Sequence, residues 1–225
     1  MTWLVGCEES GAVTAALLSR GIDAVSCDLK PTRGNVPHIQ GDIRDAIASR
    51  QWAGLICFPD CTYLTCSAEW AYGPGPYHMN LKPGTLTGSA RRGARFKAVS
   101  FALSLWESMD RVILENPIGV LSRHLPKPQV VQPYMFGDDA SKATCLWIKG
   151  MDGVSIPNRS EWHPPRMVNG KPRWGNQTDS GQNRLSPGEN RARDRSATYP
   201  GIAAAIAEVV SRAPVPAIPV LGGVR

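Results

Sequence analysis

Short apolar runs alternate with helix-patterned stretches through the first half of the chain, and this rhythm restricts the fold more than any other feature. Strand-like runs are predicted at 2–5, 24–27 and 54–58, with a weaker one at 38–41, and helical patterns at 12–20, ended by Gly21, and at 43–50. A β-α-β order implies an α/β fold, a sheet of mainly parallel strands with helices on both faces. Beyond Cys61 the run Gly73-Pro74-Gly75-Pro76 and then Lys82-Pro83-Gly84 are too rich in Gly and Pro for regular structure. The rhythm resumes with a helix at about 89–109, a strand at 112–114 ending in Glu115-Asn116-Pro117, a strand at 144–148 and a last helix at 203–211. Residues 151–190 are polar, Pro- and Gly-rich and without periodicity.

A length of 225 residues with 42% hydrophobic content suits one domain with decorations. The expected organisation is a catalytic core over 1–150, a small irregular recognition segment over 151–195, and a C-terminal helix completing the core, with a tail, over 196–225. No run approaches the ~18 uninterrupted apolar residues of a membrane span. The chain enters a strand-like run at once, so we expect a soluble cytoplasmic protein without membrane contact. In that compartment Cys7, Cys27, Cys57, Cys61, Cys66 and Cys145 read as reduced thiols. Cys57, Cys61 and Cys66 lie close together, but no second tight pair follows them, so no metal site is expected.

The net charge of +6 is unevenly spread. Between Tyr63 and Lys97 there are five Lys or Arg against one acid, and from Arg159 to Arg195 eight against four. The remainder is slightly acidic. Two basic, irregular segments on an otherwise acidic body suit a polyanion such as nucleic acid, the alternative being a solvated basic surface.

In doubly wound sheets ligands bind at the carboxyl ends of the strands. The polar residues just after the apolar runs are Glu8, Asp28, Asp42, Cys61 and Glu115. Gly6 and Gly11 bracket the first turn, and Asp28 lies ~20 residues on, where an acid can hold both hydroxyls of a ribose. Asp42 reads either as an acceptor for an adenine amino group or as the cap of helix 43–50, and the two roles are compatible. Glu8 and Glu9 would repel a pyrophosphate. A ligand with a sulfonium and an amino group fits better, and S-adenosylmethionine is the expected cofactor.

C5 of cytosine becomes nucleophilic only after something adds to C6, and a cysteine thiolate is well suited to that reversible addition. Charge developing at N3 then needs a nearby acid, which Glu115 at a strand end can supply. Read alone, Cys61 is as well explained as a structural thiol. The joint pattern favours a nucleophile.

Phe58-Pro59-Asp60-Cys61 resembles the Pro-Pro-Cys motif of the DNA cytosine-5 methyltransferases, and Glu115-Asn116-Pro117 resembles their Glu-Asn-Val, in the same order and at similar spacing. Gly6-Cys7-Glu8-Glu9-Ser10-Gly11, Glu115-Asn116-Pro117-Ile118-Gly119 and the stretch from Asn176-Gln177-Thr178 to Gly181-Gln182-Asn183-Arg184 are most similar to compact cytosine methyltransferase-like proteins of bacteriophages. Tyr199-Pro200-Gly201-Ile202-Ala203 resembles the segment that closes over the cofactor in that family.

The resemblance implies a Rossmann-like, S-adenosylmethionine-dependent methyltransferase fold with a reduced recognition segment. It implies Cys61 as nucleophile and Glu115 on the N3 and amino edge of the pyrimidine. Lys142, where the family has the first arginine of Arg-x-Arg, would contact phosphate or the base carbonyl, a solvated lysine being the alternative. The expected cofactor set is Gly6, Cys7, Glu8, Gly11, Asp28, Asp42 and Pro59. Double-stranded DNA with a flipped cytosine is the expected partner, contacted by Arg91, Arg92, Arg95, Gln182 and Arg184, with Trp70, Trp162 and Trp174 available to stack. Three departures from the family stand out: acids in the first turn, Asp60 beside the nucleophile, and a recognition segment of only ~40 residues.

Overall fold

The computed structural model describes residues 1–77, 81–151, 155–156, 162–185 and 191–213, with the side chains of 191–193 left out of the description. The expected tail beyond 213 and parts of the 151–195 segment lie outside the described residues. Seven strands form one sheet: β1 (Trp3–Gly6), β2 (Ala24–Asp28), β3 (His38–Gln40), β4 (Gly54–Cys57), β5 (Val112–Pro117), β6 (Gln129–Val131) and β7 (Thr144–Lys149). Their spatial order is β3-β2-β1-β4-β5-β7-β6, and β7 runs antiparallel to both of its neighbours. The pairs β1–β2, β1–β4, β2–β3 and β4–β5 are all parallel. This is the α/β architecture with a mostly parallel sheet that the sequence rhythm predicts.

Because successive side chains on a strand point to opposite faces, β1 feeds two cores at once. Trp3 and Val5 join Ile56 and Ile113 on one face, covered by α1 (Ala12–Leu18) and α5 (Pro200–Arg212). Leu4, Leu55, Val112 and Leu114 face the other way, against α2 (Ile43–Ala48) and the long α3 (Gly88–Glu107). Continuous apolar strands such as Leu55-Ile56-Cys57 follow from burial on both faces.

Several elements differ from the sequence expectation. β5 extends to Pro117, because β7 pairs alongside it down to Pro117–Thr144, so Glu115 sits within the strand rather than after it. β6 has only three residues and too little pattern to read. Within the segment expected to be irregular, β8 (Arg166–Val168) and β9 (Lys171–Arg173) form a hairpin whose tip has Asn169 and Gly170 at positive φ. Helix α4 (Arg191–Ser196) follows.

Candidate active site

The first turn holds its own backbone in an unusual state. Cys7, just past β1, has φ 57°, a left-handed conformation that a residue with a Cβ adopts at a cost of roughly 1 kcal/mol or more. Its N-terminal neighbour Gly6 packs against Ile43, where any Cβ would collide with the isoleucine side chain. Gly11, at φ 71°, precedes α1.

Glu8 is 3% exposed and takes a role the sequence does not suggest. Its carboxylate accepts the Val13 amide at 2.6 Å, the Thr14 amide at 3.3 Å and the Thr14 hydroxyl at 2.6 Å. It therefore satisfies the open amides at the start of α1 in place of the missing side-chain cap. Burial pushes its carboxyl up while these three hydrogen bonds hold it down. Both oxygens are used inside the fold, which gives Glu8 a structural task beside the cofactor contact expected of it. Glu9 is likewise occupied, by Lys30 at 3.7 Å and Arg33 at 3.3 Å.

Asp28 ends β2, half-buried, and accepts the Lys30 amide at 3.0 Å. Asp42 caps α2: it accepts the Arg44 amide at 2.9 Å and two guanidinium bonds, at 3.0 and 2.5 Å. Those bonds hold its carboxyl down to about 2. Cys7, after β1, has a thiol that burial pushes up to about 12, with further upward contributions from Asp28, Cys27, Asp42 and Asp60. Three carboxylates, at the end of β2 and after β3 and β4, thus act electrostatically on one half-buried thiol that follows β1. A negative field of that kind suits a cationic ligand, and Asp28 retains acceptor capacity for hydroxyls. These residues fit S-adenosylmethionine, whereas Glu8 fits the helix.

Cys61 follows β4 through Phe58, the buried Pro59 and the exposed Asp60. The Asp60 carboxylate accepts the Thr62 amide at 2.9 Å and the Thr62 hydroxyl at 2.6 Å, which turns it along the chain. The Cys61 carbonyl accepts the amides of Leu64 and Thr65, so Cys61 lies at the head of a tight turn. Burial is the main cause that pushes the Cys61 thiol up; Asp60 and Glu115 add to it, while Lys142 opposes. Glu115, from the middle of β5, is pushed up by burial, opposed by Lys142 and by a hydrogen bond from Thr144. Cys61, Glu115 and Lys142 come from three distant stretches of chain into mutual electrostatic reach.

Two residues of the Glu115-to-Gly119 run hold this cluster in a way the sequence does not reveal. Asn116 is 1% exposed and donates its side-chain amide to the Pro59 carbonyl at 2.8 Å, tying β5 to the turn that bears Cys61. Gly119 pairs with Thr65 in an isolated antiparallel bridge, and the Val120 amide donates to the Leu64 carbonyl at 2.8 Å. A Cβ on Gly119 would run into that same carbonyl oxygen. The amide in Glu115-Asn116-Pro117 and the glycine after it were the available signals.

The three arginines expected on DNA all bond back onto their own fold, although Arg92 stays exposed. Arg91 is buried, with its guanidinium 4.7 Å from the Tyr72 ring and 5.4 Å from that of Tyr63. Arg92 donates to the Tyr72 carbonyl at 2.5 Å. Arg95 stacks 3.5 Å over Tyr72, donates to the Tyr63 and Thr65 carbonyls, and pairs with Glu69 at 2.6 Å. They staple the loop after Cys61 to α3. These partners are invisible in the sequence, because the tyrosines that receive the arginines are about 20–30 residues away.

Gln182 and Arg184 lie on the segment after the hairpin and are exposed. The backbone of Gln182 pairs with Thr178, and Arg184 donates to the Gln177 carbonyl at 2.8 Å. Trp174 stacks on Tyr134 at 4.2 Å, while Trp162, half-exposed, meets the same ring edge-on. A cavity of about 450 Å³ is lined by Asn176, Arg184, Asp194 and Tyr199 among others, and by none of Cys61, Glu115 and Lys142. The chemically coherent cluster, and not this cavity, is the candidate active site.

No protein-family model and no curated protein sequence matches the chain. Among solved structures it is similar to a mutant of Spodoptera frugiperda DNMT2, with 15% identity and a TM-score of 0.41. The match covers 71% of this chain and 53% of the other, so the chain spans about half the length of that protein.

Proposed function

We propose that this chain transfers a methyl group from S-adenosylmethionine to C5 of cytosine in DNA, through a covalent bond between Cys61 and C6. The single observation that carries the reading is the convergence of three stretches of chain: Asn116 ties β5, which bears Glu115, to the turn that bears Cys61, and β5 pairs with β7 at Pro117–Thr144, just after Lys142. As the thiolate adds to C6, Glu115, which burial keeps inclined to hold a proton, hydrogen-bonds N3 and takes up the developing charge. Lys142 favours the thiolate and offers a donor to the base carbonyl. The bound cofactor supplies the methyl group. C5 then loses its proton to solvent water, the electron pair re-forms the C5–C6 double bond, the C6–S bond breaks and the thiolate returns. Asp28 and Asp42 are the proposed ligands for the ribose and adenine, with Gly6, Cys7, Gly11 and Pro59 forming the floor.

One observation favours a second substrate. The inward use of Arg91, Arg92 and Arg95 removes much of the expected backbone clamp, and a free pyrimidine nucleotide would need fewer cations. Tritium release from C5-labelled cytosine, offered in DNA and as dCMP with S-adenosylmethionine, separates the two. We expect release from DNA, abolished in Cys61→Ala with cofactor binding retained. Release from dCMP alone would move the proposal to a nucleotide substrate, and release by the alanine variant would remove Cys61 from its role.

A further inference from the structure

Residues 141–143, which lead into β7, carry no regular structure, yet Lys142 must be held against Cys61 and Glu115 to act on either. Ser141 supplies the anchor. Its amide donates to the side-chain oxygen of Asn176 at 3.0 Å, and its carbonyl accepts from the side-chain nitrogen of the same asparagine at 3.0 Å. A single side chain thus supplies both hydrogen bonds that a neighbouring strand would otherwise give this backbone. Asn176 is itself fixed: its nitrogen also lies 3.3 Å from the Tyr199 hydroxyl at the start of α5, and its carbonyl accepts the Arg184 amide. On the far side of Lys142, its carbonyl lies 3.1 Å from the Thr144 hydroxyl, whose single hydrogen it shares with Glu115.

We propose that Asn176 is a positioning residue: by gripping both backbone groups of Ser141 it sets Lys142 against Cys61 and Glu115, so the segment after the β8–β9 hairpin tunes the nucleophile. The inference rests on Cys61 being that nucleophile and deepens the reading above. It also gives the short segment a task other than base recognition, since whatever shifts 174–184 shifts Ser141. The charged groups facing the thiol are Asp60 from its own turn, Glu115 from β5 and Lys142 from this tether, and only the last favours the thiolate. Losing the tether should therefore move thiolate formation to higher pH.

The test is alkylation of the full chain by iodoacetamide as a function of pH, read at Cys61 by peptide mass spectrometry, with the exposed Cys66 as internal reference. In Asn176→Ala the Cys61 profile should move upward and its rate near pH 8 fall roughly threefold or more, while Cys66 is unchanged. Lys142→Met should move Cys61 in the same direction, and the double variant should go no further than Lys142→Met alone. Asn176→Ser provides a second probe should the alanine variant fail to fold. An unmoved Cys61 profile in a folded Asn176 variant, an unmoved profile in Lys142→Met, or additive shifts in the double variant would each overturn the proposal. Alkylation needs neither cofactor nor pyrimidine, so its outcome is independent of the methyl-transfer assay.

Discussion

Glu115 is where chemistry and stability oppose each other. Burial raises its carboxyl above the ordinary range, so the folded chain holds a proton there that the unfolded chain has released. Its contribution to stability is thus fully present below the unfolded value and is lost as pH rises towards the folded one. Glu115→Gln keeps the shape and removes the titration. We expect thermal unfolding followed across pH 4 to 8 to place the variant progressively above the parent as pH rises, with methyl transfer abolished; a gap that is constant or widens on acidification would contradict the assignment. Sequence alone placed Glu115 and Cys61 together because both motifs sit at predicted strand ends. It did not reveal how Asp60 is arranged, since the turn onto Thr62 depends on local hydrogen bonds.

The first turn and α1 form one unit through Glu8. A seven-residue helix cannot hold itself together, and its opening amides need partners. Glu8→Ala should therefore lower unfolding stability by about 1–3 kcal/mol in chemical denaturation, with cofactor affinity in the folded variant little changed. Lost affinity at unchanged stability would return Glu8 to the ligand set. The same lesson applies to α3 and the loop after Cys61, which arginines and tyrosines join into a staple. An acid or a basic cluster reads from sequence as ligand contact, yet helix ends and loops need charged partners too, and only packing decides which need is met.

Across the molecule, the cations that remain on the surface include Lys82, Lys97 and Lys171, in the two basic segments. If DNA is the substrate, binding should weaken with salt on a log-log line, and Lys97→Gln combined with Lys171→Gln should flatten its slope by about two if both meet phosphate. Arg91→Gln should instead act on stability, through Tyr63 and Tyr72. A slope unchanged by the lysine pair would place the DNA path on another face.

The order of the strands along the chain, their two-faced burial and the carboxyl-end rule follow from residue pattern, because period and apolarity are local properties of a chain. Cys61, Glu115 and Asp28 were legible for that reason, each standing at the end of a readable run. The strand order with an antiparallel β7, the use of Glu8 as a helix partner, the inward arginines and the grip of Asn176 on Ser141 were decided only in three dimensions. Each depends on groups tens of residues apart, or on competition between a ligand and an unsatisfied backbone for the same charge. Local pattern carries no record of which partner wins.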